Sequence, residues 1–259
     1  MKFCVIGCGA MGGSIAKKLA EKHNVALYDH DSEKAGKLAE LIDAQNFESL
    51  EKALKDADFV IAAVKPKDIE NAAAQMNKHL TEDQIVVSVV GGLTTAGLEK
   101  LFGQVLAARA MPNIACAFGK GVVGLAKSDN IPEAAREKIH NALSPLGFIH
   151  WIDEEKIPGL TALAGCGPAF AFVIIESMID AGVAMGLDAS LSKQLALQMW
   201  EGALTHMKES EKSPSELKWQ VTSPGGTTIA GILELEDSSV RSGVINTILA
   251  SYERALDHE

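Results

Sequence analysis

The sequence predicts a doubly wound parallel α/β sheet over residues 1–154 and an all-helical region over residues 155–259. Three observations carry this expectation. A glycine-rich turn at 7–13 follows a short apolar strand and opens a helical pattern. Short apolar segments then alternate with helix-length segments as far as residue 152, which implies parallel pairing. After about Asp153 long helical patterns take over.

In chain order, residues 2–6 (KFCVI) read as a buried strand and 14–22 as a helix with Ile15, Ala16 and Leu19 on one face. Residues 25–28 form a second strand and 33–41 a second helix. A third strand, 59–64, is stopped by Lys65-Pro66. A fourth, 85–90, is stopped by Gly91-Gly92, and a fifth, 105–111, by Pro112. Strands as apolar as 59–64 and 85–90 fit a sheet covered on both faces. Residues 122–126 and 148–152 extend the sheet, with a helix at 132–143 between them. The stretch DEEKIP (153–158) is the expected boundary. Helices follow at 168–187, 190–208 and 239–256, with a shorter one opened by Pro224.

At 259 residues the chain is one large domain or two ordinary ones, and 47% hydrophobic with 22% charged residues fits a soluble protein with a sizeable core. The net charge is −10 and no basic run stands out, which argues against a nucleic-acid partner. The apolar run at the N-terminus is too short for a signal peptide and flows straight into the glycine motif. Glu176 and Asp180 interrupt the longest apolar region, 169–187, so it reads as a buried or subunit-facing helix and no membrane span is expected. A cytoplasmic location follows. Residues 169–175 (AFAFVII) are apolar on every face, and a helical region of this size does not hide that surface alone. A homo-oligomer is expected, with a dimer that interleaves these helices.

Cys4, Cys8, Cys116 and Cys166 form no CxxC pair and have no His at zinc spacing, so no metal site is expected and the thiols read as small buried residues. Cys8 and Cys166 lie in glycine-rich loops, where a ligand remains within reach.

Gly7, Cys8, Gly9, Ala10, Met11 and Gly12 spell GxGxxG between a strand and a helix, the context a dinucleotide-binding turn requires. Gly7 permits the tight turn, Gly9 lets a pyrophosphate approach, and Gly12 lets helix and strand pack closely. The helix N-terminus then faces the phosphates. Asp29 stands at the tip of the second strand, where an acid bonds the ribose hydroxyls of NAD and repels a 2′-phosphate, which leans toward NADH; His30, Lys34 and Lys37 leave a 2′-phosphate open. Asp29 also competes with Asp31 and Ser32 as a helix cap. Ala63, Val64, Lys65 and Pro66 end a central strand at the ligand-binding edge. Lys65 reads either as a cofactor contact or as a solvated turn lysine. Asn113, after the fifth strand, reads either as a partner for the nicotinamide amide or as a turn asparagine. The cofactor is NADPH or NADH.

At the other end, VTSPGGTTIAG (221–231) places hydroxyls, a proline and paired glycines before an apolar helical run. Free N–H groups at such a helix start form an anion site. Ser223, Gly225, Gly226, Thr227 and Thr228 read as a carboxylate cradle, with simple helix capping by the threonines as the alternative.

These motifs resemble the pyrroline-5-carboxylate reductase family. The resemblance covers essentially the whole chain and rests on GCGAMG (7–12), AVKP (63–66), MPN (111–113), LTALAGCGPAFAF (160–172) and VTSPGGTTIAG (221–231), in family order and spacing. It implies an N-terminal Rossmann domain, a helical dimerisation domain, a homodimer and often a ring of dimers. It also implies nicotinamide-dependent reduction of the cyclic imine L-1-pyrroline-5-carboxylate to L-proline. By motif match, Ser223 to Thr228 hold the substrate carboxylate and Thr228, the expected catalytic residue, lies nearest the imine nitrogen. A protonated C=N already accepts hydride well, so the reaction needs positioning and one hydrogen-bonding group rather than a metal. The chain departs from the family where Ala164, Cys166 and Phe170 replace the usual Ser, Ser and Tyr. That puts in doubt any polar role of this loop.

Two rivals compete with this reading. A β-hydroxyacid dehydrogenase shares the glycine start and a helical second domain but needs a helix lysine as acid/base. Lys193 is the one tempting candidate, without the glycine-rich signature around it. A non-catalytic nucleotide sensor on the same fold would not need the 223–228 cradle.

Overall fold

The computed structural model describes residues 1–257. Its first compact unit comprises Met1–Pro168 together with the C-terminal segment from Ser251, and its second comprises Ala169–Ala250.

The first unit is built on β1 (Lys2–Ile6), α1 (Ala10–Ala20), β2 (Asn24–Tyr28), α2 (Ser32–Ile42), β3 (Gln45–Asn46), α3 (Leu50–Leu54), β4 (Phe59–Ala62), α4 (Ile69–Met76), β5 (Ile85–Ser88), α5 (Thr95–Phe102), β6 (Leu106–Pro112), β7 (Gly121–Ala126), α6 (Glu133–Leu143) and β8 (Gly147–Ile152). The eight strands lie in the order β3-β2-β1-β4-β5-β6-β7-β8. Alternation along each strand divides the core. Phe3, Val5, Leu27, Phe59 and Ile61 pack with α1, α2 and α6 on one face. Cys4, Ile6, Val60, Ala62 and Val86 pack with α3, α4 and α5 on the other. Every residue of β4 and β5 is buried, as their apolar sequences require.

The structure refines several sequence expectations. Pairing is parallel throughout except that β6 and β7 run antiparallel. The connection 113–120 is too short for a crossover, which needs about a dozen residues, so the chain turns back. The structure adds β3, α3, α4 and α5, elements of two to eight residues that the sequence reading does not assign. Pro224 does not open a helix: it sits in a turn, and α11 starts at Thr227 after a Gly226 N-cap.

The first compact unit runs on past β8 as far as Pro168. The reason is packing: after β8, α7 (Ile157–Leu160) and the π-helical turn Thr161–Gly165 stay with the sheet. Ile157 is fully buried, and Leu160 occupies the space above Gly124 of β7.

The helical region continues with α8 (Gly167–Ala184), α9 (Ala189–Glu209), α10 (Pro214–Gln220), α11 (Thr227–Asp237) and α12 (Val240–Leu256). Gly186, at φ +91, ends α8 earlier than residue 187. Asp188 then caps α9 by accepting from the Leu191 N–H at 2.9 Å. A capping box of Ser213 and Glu216 starts α10. Within this unit Ser192 packs on Gly182. Apolar side chains such as Phe172, Val173, Leu195 and Leu233 remain about half exposed or more in the single chain. The helical run Glu154–Ala184 is long and apolar enough to cross a membrane by length and composition.

Candidate active site

The sheet reverses direction of growth between β1 and β4, and the carboxyl ends of those strands flank a crevice. A cleft of about 420 Å³ opens there. Of the expected cofactor residues, Gly7, Gly9, Asp29, Ala63, Val64 and Lys65 line it.

The glycines are dictated by this geometry. Gly7 adopts φ +96, and a Cβ there would sit 2.6 Å from the Ala63 carbonyl oxygen. A Cβ on Gly12 would collide with the Gly7 carbonyl, so α1 approaches β1 only with glycine at that position. Gly9 is the N-cap of α1 in extended conformation, and no side chain caps the helix start. The first-turn N–H groups therefore face the cleft as an anion site. These residues fit a dinucleotide pyrophosphate. Cys8 lies buried beneath the turn, and burial pushes its thiol up to about 12, so it is inert there. Ala10 and Met11 form the first turn of α1, and Pro66 opens the single turn 66–68.

Asp29 does not cap α2; Asp31 does, accepting from the Lys34 N–H at 3.1 Å. Asp29 instead braces the glycine turn. Its Oδ2 accepts from the Cys8 N–H at 2.6 Å and its Oδ1 from the Asp31 N–H at 3.0 Å. The side chain is 3% exposed, with His30 Nδ1 at 2.9 Å and Lys34 Nζ at 3.9 Å. Lys34 Nζ also reaches over Gly9. Lys37 pairs with Glu33 at 2.6 Å on the outer face of α2. Lys65 is exposed at the cleft mouth. Asn71 and Gln75 line the cleft from α4, an element the sequence reading does not assign.

Asn113 is not among the residues lining this cleft. It is 7% exposed and its amide is committed to the fold: Oδ1 accepts from the Val122 N–H at 3.2 Å, and Nδ2 donates to the Ala164 carbonyl at 2.9 Å.

In the second unit, Ser223 to Gly226 form a tight turn closed by the Gly226 N–H donating to the Ser223 carbonyl at 3.1 Å. Gly225 takes φ +67, which follows from Pro-Gly at the centre of a type II turn. A Cβ on Gly226 would meet the Ser223 hydroxyl, so glycine there keeps that hydroxyl at the mouth of the turn. No side chain caps α11, whose first two residues are Thr227 and Thr228. Ser223, Thr227 and Thr228 are exposed in the single chain. The alternative in which the threonines merely cap the helix does not describe this arrangement.

Among the described residues no group of three His, Cys, Asp or Glu side chains is placed to hold a metal. Fold and cleft together define an NAD(P)H-dependent oxidoreductase. Residues 2–92 match the family described as NADP oxidoreductase coenzyme F420-dependent, and residues 154–257 match pyrroline-5-carboxylate reductase dimerisation. Pyrroline-5-carboxylate reductase of Arabidopsis thaliana is 33% identical over 96% of this chain and 92% of its own length. The crystal structure of Plasmodium falciparum pyrroline carboxylate reductase with NADP bound superposes with a TM-score of 0.88 at 29% identity, covering 100% of this chain and 98% of that one. The chain belongs to the pyrroline-5-carboxylate reductase family. A 3-hydroxyisobutyrate dehydrogenase of Mycobacterium tuberculosis shares the fold alone, at 15% identity and a TM-score of 0.55.

Proposed function

We propose that this chain reduces the C=N bond of L-1-pyrroline-5-carboxylate to give L-proline, with NADH or NADPH as donor, in proline biosynthesis. The observation that carries the reading is the Ser223–Gly226 turn at the uncapped start of α11, in a chain that also holds the glycine cleft.

Bound NAD(P)H supplies the hydride. Gly7, Gly9 and the first turn of α1 hold its pyrophosphate, and Lys65 and Asp29 fix its ribose end. The N–H groups of the α11 start, with Ser223, Gly225, Gly226 and Thr227, take the substrate carboxylate. Hydride delivered to the imine carbon would send the C=N electron pair onto the nitrogen. The Thr228 hydroxyl would hydrogen-bond that nitrogen, and water would supply the one proton it carries as the iminium. Residues 1–154 form the cofactor domain and 155–259 the substrate and dimerisation domain. The exposed apolar faces of α8, α9 and α11 pair in a homodimer, which assembles further into a ring, in the cytoplasm.

The test is absorbance of NADH and of NADPH, separately, with the imine added to purified protein. Imine-dependent oxidation supports the reaction. Folded protein with no turnover on either cofactor overturns it.

A further inference from the structure

We infer that Asn113 is a positioning residue: it holds the turn that leads into the GCGP segment, and so sets turnover rather than cofactor affinity. The kinetic half of this inference rests on the reductase reading above.

The helical run from Glu154 to Ala184 is interrupted by the π-helical turn Thr161–Gly165. The Cys166 N–H donates to the Thr161 carbonyl at 2.8 Å, a five-residue step. One inserted residue rotates the rest of the helix by about 100°. The Ala164 carbonyl would ordinarily meet the N–H four residues on, but that residue is Pro168, which has none. Asn113 Nδ2 donates to this carbonyl instead, at 2.9 Å.

Asn113 is itself fixed from three further directions. Its Oδ1 accepts from the Val122 N–H at 3.2 Å. Its backbone N–H donates to the Val122 carbonyl at 3.1 Å, and its carbonyl accepts from the Cys116 N–H at 3.1 Å. One buried side chain thus joins the end of β6, the start of β7 and the π turn. Packing seats the same turn. A Cβ on Gly165 would lie 3.1 Å from Met111 Cε, and Leu160 covers Gly124. The clamp, not the bulged helix alone, therefore decides where Gly165, Cys166 and Gly167 stand. Asn113 is absent from the lining of the cofactor cleft, so removing its amide donor leaves that cleft whole.

The test is Asn113→Asp. The variant keeps the side chain's shape and the bond from Val122, and puts an oxygen where the donor to Ala164 stood. In the full-length protein, kcat on the imine falls about tenfold or more, since small misplacements of reacting groups are costly. The NADPH Kd, read by fluorescence quenching, stays within about twofold, because no cofactor contact is lost. Amide exchange across residues 161–168 accelerates. Unchanged kcat, or unchanged exchange, overturns the proposal. An NADPH Kd that rises by the same factor as kcat falls also overturns it, by making Asn113 a direct cofactor ligand. Should Asn113→Asp not fold, Asn113→Ser is read in the same way. Wild-type protein without imine turnover would sink the reductase reading and the kinetic half with it. The exchange comparison needs no substrate and decides the clamp separately.

Discussion

Asp29 Oδ2 accepts a hydrogen bond from the Cys8 N–H at 2.6 Å, so the acid that ends β2 braces the glycine turn that ends β1. The two strands are parallel neighbours in register, Ile6 beside Tyr28, which brings the turn and the acid together. The other carboxylate oxygen accepts from the Asp31 N–H. An amide offers only one accepting oxygen. Asp29→Asn therefore leaves one of the two N–H groups facing another donor, at a cost of about 1–3 kcal/mol. Chemical denaturation should show this loss, with weaker cofactor binding as the turn loosens. Equal stability and equal affinity in the variant would remove Asp29 from its role as a brace.

Gly12 and Gly13 are neighbours in α1 with opposite tolerance. A Cβ on Gly12 collides with the Gly7 carbonyl, while one on Gly13 lies 3.8 Å from Leu38 Cδ2, an ordinary contact. Gly12→Ala should abolish NAD(P)H binding or prevent folding. Gly13→Ala should fold and gain up to about 1 kcal/mol from helix propensity. Cofactor titration and denaturation of the pair decide this.

At the other motif, Gly226→Ala forces the added methyl against Ser223 Oγ and displaces the turn. KM for the imine should rise about tenfold or more if uniform carboxylate binding is lost, with a smaller effect on kcat. Thr228→Ala should do the reverse, lowering kcat. Steady-state kinetics that show both variants at wild-type values would reject the cradle.

Glu154 bridges Arg109 of β6 at 2.9 Å and the Thr95 N–H and hydroxyl at the start of α5, at 2.7 and 2.6 Å. Burial pushes its carboxyl up, but the hydrogen bonds from Thr95 and Arg109 outweigh this and hold it below the ordinary glutamate range. A folded-state value below the unfolded one means stability that is present above the unfolded pKa and lost as pH falls through the folded one. Melting temperature should therefore drop more steeply below the ordinary glutamate pKa in wild type than in Glu154→Gln. Parallel acid limbs in the two proteins would contradict the linkage.

Phe172 on α8 is 63% exposed in the single chain. Phe172→Glu buries a charge wherever that face is covered, so light scattering should show the variant shifted toward monomer. An unchanged mass would place the homodimer interface elsewhere.

The sheet and its glycine turn were legible because their signals are local. Fully apolar strands, their stopping residues and GxGxxG each lie within a few neighbouring positions. The elements α3, α4 and α5 are less legible because they span only 5, 8 and 8 residues, shorter than the window in which a helical period stands out. Asn71 and Gln75 of the cleft lie on one of them, α4. Pro224 is ambiguous in the sequence because proline suits both the first turn of a helix and the second position of a turn; Gly225 at φ +67 selects the turn.

By itself the sequence determined seven of the sheet's eight strands, its phosphate-binding turn and the motif at 221–231, since each is written in contiguous residues whose backbone preferences leave few alternatives. Only the tertiary structure decided what Asp29 and Asn113 touch. Besides the nearby Asp31 and Val122, they bind Cys8 and Ala164, 21 and 51 residues away, and pairing at that separation is set by strand order and packing rather than by any local pattern.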